Sequence, residues 1–183
     1  MGHLSEITVL FADCRDFTRL THELGPEVIT PLIDQFFRRC SEIVVSHDGI
    51  LDNFRGDAVL AFFNVPIRHE DHVARAVTAA TQIQLAVPEI NAELGGGDLL
   101  QVGVGVTTGM AYASLVGSDD CKDYTVMGDV VNIGSRLQNI AKRGEILVSK
   151  EVYQQVASAF PNASERVLEL KGIGEPVQAY SLE

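Results

Sequence analysis

Two apolar runs constrain this chain more than anything else in it: ITVLFA at 7–12 and AVLAFF at 58–63. Each has the length and composition of a buried strand. Each also carries an aspartate at one end. Asp13 closes the first run, and Asp57, after Gly56, opens the second. A charge at the lip of a buried strand needs a reason, because an unpaired carboxylate taken out of water is costly.

The remaining segments supply layers to bury those strands. DFTRLTHELG (16–25) reads as a short helix stopped by Gly25. Pro26 then opens a longer helix in which Val28, Leu32, Ile33, Phe36, Phe37, Cys40, Ile43 and Val44 recur at helical spacing. Pro31 falls near its first turn, where proline is tolerated. GILDNF (49–54) and AVLAFF read as strands joined by a tight hairpin turn at Gly56-Asp57. A helix over 70–94 places Val73, Ala76, Val77, Ala80, Ile83 and Val87 on one stripe. LLQVGVGVTTG (99–109) alternates as a strand, a separate strand follows at 111–117, and a third at 123–128. A helix from Asp129 to Ala141, the strand EILVS, the helix KEVYQQVA and strands at 165–170 and 176–182 complete the chain. The order strand-helix-strand-strand-helix-strand predicts a ferredoxin-like α+β fold, a βαββαβ core with additional C-terminal strands and helix.

The length of 183 residues suits one domain. With 46% hydrophobic and 21% charged residues, the chain can build a core and is not disordered. No apolar run approaches the roughly 18–20 residues of a membrane span, so no membrane contact by this segment is expected. The amino terminus also lacks the basic-then-apolar pattern of a signal peptide. MGH before Leu4 reads as an appended start, with residues 1–5 a tail and 6–183 the domain. A net charge of −11 argues against nucleic-acid binding, which needs clustered cations. It leaves a phosphorylated small molecule open, since a divalent ion can neutralise both partners. Cys14, Cys40 and Cys121 have no metal-ligand spacing, and a sparse odd set fits a reducing, cytoplasmic setting.

In a ferredoxin-like core the first strand is central and can lie beside the hairpin that carries Asp57. The two carboxylates can then meet. Close carboxylates either share a proton or bind a cation, and hard oxygen ligands suit Mg²⁺ or Mn²⁺. The plainer alternative makes Asp13 a cap for the helix at 16–24 and Asp57 a turn residue. Backbone N–H groups of residues 15–18, including Phe17 and Thr18, open a helix and could cradle phosphate. Asp16 sits awkwardly there, either pointing outward or capping the helix.

The second informative stretch is DYTVMGDVVNIGSRLQNIAK (123–142). Asn132 and Arg136 are spaced i, i+4 and share one helix face. An amide beside a guanidinium suits a phosphate and a ribose oxygen, although a solvated face with an ion-paired arginine explains the same spacing. Asp129 fits an N-cap or first-turn acid. Lys171 precedes Gly172 and Gly174, from where it could reach phosphate or simply meet solvent. The histidines at 3, 22, 47, 69 and 72 lack zinc-helix spacing and read as surface residues.

Together, VLFADCRDFT, GILDNFRGDAVLAFF and YTVMGDVVNIGSRLQNIAKRGEILVS resemble the catalytic domain of class III adenylyl and guanylyl cyclases, bacterial type. The resemblance runs from about residue 6 to 182, and LKGIGEPV fits the family's ending. It implies cyclisation of a nucleoside triphosphate to a 3′,5′-cyclic nucleotide and pyrophosphate, in head-to-tail homodimers whose active sites lie between subunits. Asp13 and Asp57 match the family's aspartates for two divalent metal ions, with the Cys14 carbonyl as an auxiliary ligand. Asn132 matches the residue that orients the ribose, and Arg136 the one that stabilises charge at the α-phosphate. Lys171 matches a lysine on the terminal phosphates.

The resemblance also marks departures. The base-selecting lysine is replaced by Asn53, which offers a purine edge a donor and an acceptor but no cation. Thr125 matches a threonine variant of the second base contact. The glutamate typical of guanylyl cyclases is absent, so ATP is favoured with GTP as the alternative. Asp16 stands where the family usually has glycine. Such domains are usually the effector end of longer signalling proteins. Two other functions are open: a silent cyclase-like domain that binds nucleotide or regulates a partner, and another metal-dependent phosphoryl-transfer enzyme on the same core.

Overall fold

The computed structural model describes residues 2–52, 56–118 and 121–182. Its central strand is β1 (His3–Cys14), which pairs antiparallel with β3 (Ala58–Phe63) on one side and β4 (Val102–Ser118) on the other. β2 (Ile50–Leu51) lies outside β3, which gives the order β2-β3-β1-β4 of a ferredoxin-like core. Helices α1 (Phe17–Leu24) and α2 (Pro26–Ser46) follow β1, and α3 (His72–Glu93) connects β3 to β4. The additions are β5 (Cys121–Met127) on the distal part of β4, α4 (Asp129–Ile140), β6 (Ile146–Ser149) parallel to β4, α5 (Lys150–Val156), β7 (Ser164–Leu168) and β8 (Val177–Leu182).

Side chains alternate across a strand, so β1 feeds two cores. Leu10, Ala12 and Cys14 pack with Phe36 and Cys40 of α2 and Ala76, Val77 and Ile83 of α3. Ile7, Val9 and Phe11 face the other way, toward Leu60, Phe62 and Val130 of α4. By the same parity Asp13 emerges on the α4 face. The sequence VGVGV in β4 explains how α4 gets close. Its valines, Val102, Val104 and Val106, fill the core shared by α2 and α3. Gly105 leaves the other face open: a Cβ there would lie 2.6 Å from the Gln138 backbone nitrogen and 2.7 Å from the Gly134 carbonyl. Gly105→Ala must therefore push backbone against backbone. We expect it to cost about 1–3 kcal/mol, read from the urea midpoint.

Several sequence expectations shift. The two strands expected at 99–109 and 111–117 are one strand, because Gly109 keeps register opposite Ile7 and Met110 opposite Glu6. Leu100 lies outside it, its backbone held by the Asn91 amide at 2.8 and 3.0 Å. β1 begins at His3, ahead of the apolar run at 7–12, since the long β4 extends the pairing to His3 opposite Ala113. Among the described residues β2 covers Ile50–Leu51, Gly56 and Asp57 form a turn directly before β3, and Asn53 and Phe54 of the expected strand lie outside the described residues. On α2 the buried stripe runs through Ile29, Leu32, Phe36, Cys40 and Val44, and Val28 is exposed.

His72 is not a surface residue. It is buried at the start of α3, with Nδ1 2.7 Å from Thr8 Oγ1, which in turn lies 2.9 Å from Thr108 Oγ1. Burial lowers its proton affinity. The expectation of a membrane-free segment was drawn from apolar run lengths, and no helix of the described residues is long and apolar enough to cross a membrane.

Candidate active site

Asp13 is the last residue of β1 paired with β3, opposite Ala58, so Asp57 sits one residue from the register partner of Asp13. The Cys14 N–H donates to the Asp57 carbonyl at 3.4 Å, which holds the two strand ends together. The side chains meet as well. The Asp13 carboxyl is pushed up to about 7, first by burial and then by the Asp57 carboxylate beside it, against the opposing pull of Arg15 and Gln138. Burial holds Cys14 as a thiol, with further opposition to ionisation from Asp13 and Asp57.

One oxygen of Asp13 is satisfied and the other is not. Gln138 Nε2 donates to Asp13 Oδ2 at 3.1 Å, while Oδ1 is buried without a hydrogen-bond partner. A buried carboxylate oxygen with no donor, next to a second carboxylate, fits a hard divalent cation. Among the described residues no third His, Cys, Asp or Glu joins a ligand cluster. The rest of such an ion's shell would come from backbone, water and phosphate oxygens, the mix that Mg²⁺ favours. The alternative of Asp13 as a helix cap is corrected: the residue flanking α1 is Asp16, and its side chain makes no capping bond.

Asp13 and Asp57 line a cleft of ≈ 500 Å³ together with Asp52, Thr125, Asn132 and Gln138. The structure thus brings Thr125 and Asn132 toward the carboxylate pair. Arg136 is elsewhere. It lines a separate ≈ 310 Å³ cleft with Asn132, Gly172 and Gly174, and its guanidinium lies against Gly172. Lys171 is exposed and lines the next cavity along that loop. Within one chain, then, Arg136 and Lys171 do not share the carboxylate cleft. Asn53 lies outside the described residues.

The expected phosphate cradle is narrower than residues 15–18. The Arg15 N–H is committed to the Gln101 carbonyl at 2.7 Å. Phe17 and Thr18 open α1, where first-turn N–H groups have no partner inside the helix. Asp16 adopts a left-handed φ of 57°, a conformation glycine takes freely and aspartate tolerates. Its carboxylate turns away to pair with Arg143 and, at 3.7 Å, with Arg19. Asp129 is the first residue of α4, with Gly128 in the N-cap position.

Gln138 and Arg15 were missed in the sequence. Arg15 reaches across to the end of α4, donating to the carbonyls of Gln138 and Asn139. A signal existed for Gln138: it stands beside Leu137 on the buried side of the helix, where an amide needs a polar partner.

A ferredoxin-like sheet with two strand-end carboxylates in a cleft defines the class to which known proteins can be compared. The Adenylate and Guanylate cyclase catalytic domain family matches residues 1–183. The chain belongs to that family, the class III nucleotide cyclases, which generally use divalent metal ions. Adenylate cyclase 1 of Rhizobium meliloti (strain 1021) is 32% identical over 139 residues, which cover 75% of this chain and 21% of that protein. The guanylyl cyclase Cya2 matches with a TM-score of 0.92 at 28% identity, covering 99% of this chain and 93% of that one. The adenylyl cyclase CyaB from P. aeruginosa matches with a TM-score of 0.90 at 29% identity, covering 100% and 96%. These relatives include both adenylyl and guanylyl cyclases, so they do not fix the base. The chain spans about a fifth of the Rhizobium relative, and 8% of a Dictyostelium discoideum adenylate cyclase that is 25% identical.

Proposed function

We propose that this chain is the catalytic module of a cyclase that converts ATP to 3′,5′-cyclic AMP and pyrophosphate, as a head-to-tail homodimer. The observation that carries the reading is the Asp13–Asp57 pair with its buried, donor-free Oδ1. Asp13 and Asp57, with the Cys14 carbonyl, would hold two divalent ions, Mg²⁺ or Mn²⁺. Bound there, the ions would ease loss of the ribose 3′-hydroxyl proton and offset triphosphate charge.

The remaining steps belong to side chains. Asn132 orients the ribose so that the 3′-oxygen faces the α-phosphorus. The 3′-oxygen–phosphorus bond forms as the bond to pyrophosphate breaks, and Arg136 stabilises the charge that builds on the α-phosphate oxygens. Lys171 and the first-turn N–H groups of Phe17 and Thr18 hold the outgoing phosphates. Thr125, on the cleft wall, and Asn53 contact the base. ATP is favoured because no glutamate is available for guanine, and GTP turnover is the second reading.

In the proposed dimer the metal pair comes from one chain and Asn132, Arg136 and Lys171 from its partner. Arg136 and Lys171 support this reading, because they line cavities other than the carboxylate cleft of their own chain, whereas Asn132 lines that cleft as well. An apolar strip is available to bury. Leu4 (64% exposed), Tyr112 (43%) and Met127 (53%) stand in one row across β1, β4 and β5, with Met110 (56%) alongside. We further propose that the module is the cytoplasmic effector of a longer signalling protein.

The test is product analysis by mass after incubating concentrated protein with Mn²⁺ or Mg²⁺ and either ATP or GTP. Cyclic AMP from ATP alone supports the adenylyl cyclase. Product from both nucleotides means relaxed base selection. No product from either, with nucleotide still bound, replaces the enzyme reading with a silent domain.

A further inference from the structure

We infer that Gln138 is a positioning residue for Asp13: its side-chain amide fixes the carboxylate so that the free oxygen faces Asp57 and the bound cation. The inference rests on the metal reading proposed above. Gln138 is 3% exposed, and its Nε2 donates to Asp13 Oδ2 at 3.1 Å. That bond restrains the carboxylate, and Oδ1, buried and without a hydrogen-bond partner, is the oxygen left for a cation. A neutral donor suits this task. A lysine or arginine in the same place would neutralise the charge that attracts the metal, whereas an amide orients the carboxylate and leaves its charge intact.

Gln138 is itself held from two sides. Arg15 donates to its backbone carbonyl and, at 3.4 Å, to that of Asn139, a cation on the last turn of α4. Gly105 has no side chain, which lets the Gln138 backbone nitrogen approach β4. The Gln138 side chain reaches Asp13 from a helix end clamped onto the strand that carries Asp13. The competing explanation is that Gln138 only satisfies its own buried amide and supports the fold.

Mn²⁺ binding separates the two. Free Mn²⁺ is titrated by electron paramagnetic resonance against the nucleotide-free protein, with Gln138→Met, Gln138→Asn and Asp13→Ala in parallel. Methionine keeps the volume without a donor, and asparagine keeps the amide one methylene short of Asp13. Whichever variant folds gives the reading, checked by cooperative unfolding without metal. We expect about tenfold weaker Mn²⁺ binding in the Gln138 variants and no binding at the site in Asp13→Ala. Parent-like affinity in a folded Gln138 variant, with Asp13→Ala defective, overturns the role of Gln138 alone, and so does lower stability with unchanged affinity. Parent-like affinity in Asp13→Ala overturns the metal reading and the inference with it.

Discussion

Asp57→Ala is expected to abolish turnover, by about 10³-fold or more, and yet to leave the metal-free protein at least as stable as its parent. The two halves of that result have one cause. Asp57 sits beside the half-buried Asp13 and opposes its ionisation. Two carboxylates held this close cost stability above about pH 7, where Asp13 gives up the shared proton, unless a cation joins them. Above that pH, removing one relieves the repulsion, and the side-chain hydrogen bond that Asp57 accepts from a protonated Asp13 is no longer there to lose. Removing it also takes away one of the two anionic ligands for the ions that would ease proton loss and offset phosphate charge. A 10³-fold loss corresponds to about 4 kcal/mol of transition-state stabilisation. Thermal unfolding in chelator and a cyclic-nucleotide assay read the two halves separately. Undiminished turnover rules out the metal assignment. Lost turnover together with a large drop in unfolding temperature means that Asp57 serves the fold instead.

The sequence exposed this site because strand ends are readable and strand neighbours follow from topology. The apolar runs at 7–12 and 58–63 became β1 and β3, and the ferredoxin-like order made them adjacent. Helix faces were readable for the same reason, which is why Val73, Ala76, Val77, Ala80 and Ile83 all lie in the core. Contacts between distant segments were not readable. Gln138 meets Asp13 across 125 residues of sequence, and Asp16 meets Arg143 across 127. Nothing local marks either pair. The buried His72 escaped because its partner Thr8 lies on another element and the intervening sequence looks like an exposed helix start. Gly109 misled in the opposite sense: it resembles a break but keeps an unbroken register, since an extended glycine pairs like any other residue.

Mixing two inactive variants should restore activity, and the amount is set by symmetry. Arg136 opens onto the loop at Gly172 and Gly174, away from the cleft of its own chain's carboxylates. If two copies meet head to tail, Asp57 of one faces Arg136 of the other, and each dimer holds two such sites. Asp57→Ala dimers then have no complete metal pair, and Arg136→Ala dimers have no guanidinium at the α-phosphate. In a mixed dimer one site carries both defects and the other carries neither. Random pairing of equal amounts makes half the dimers mixed, each with one good site of two, so about a quarter of parent activity should return. The mixture must be assayed well above the dimer's dissociation constant, because dilution separates the chains and empties the site. Native mass spectrometry on variants of different mass shows whether mixing has occurred. With mixed dimers present, activity no greater than the sum of the separate variants would mean that each chain completes its own site. Arg136 would then have to swing across α4 to reach the carboxylate cleft.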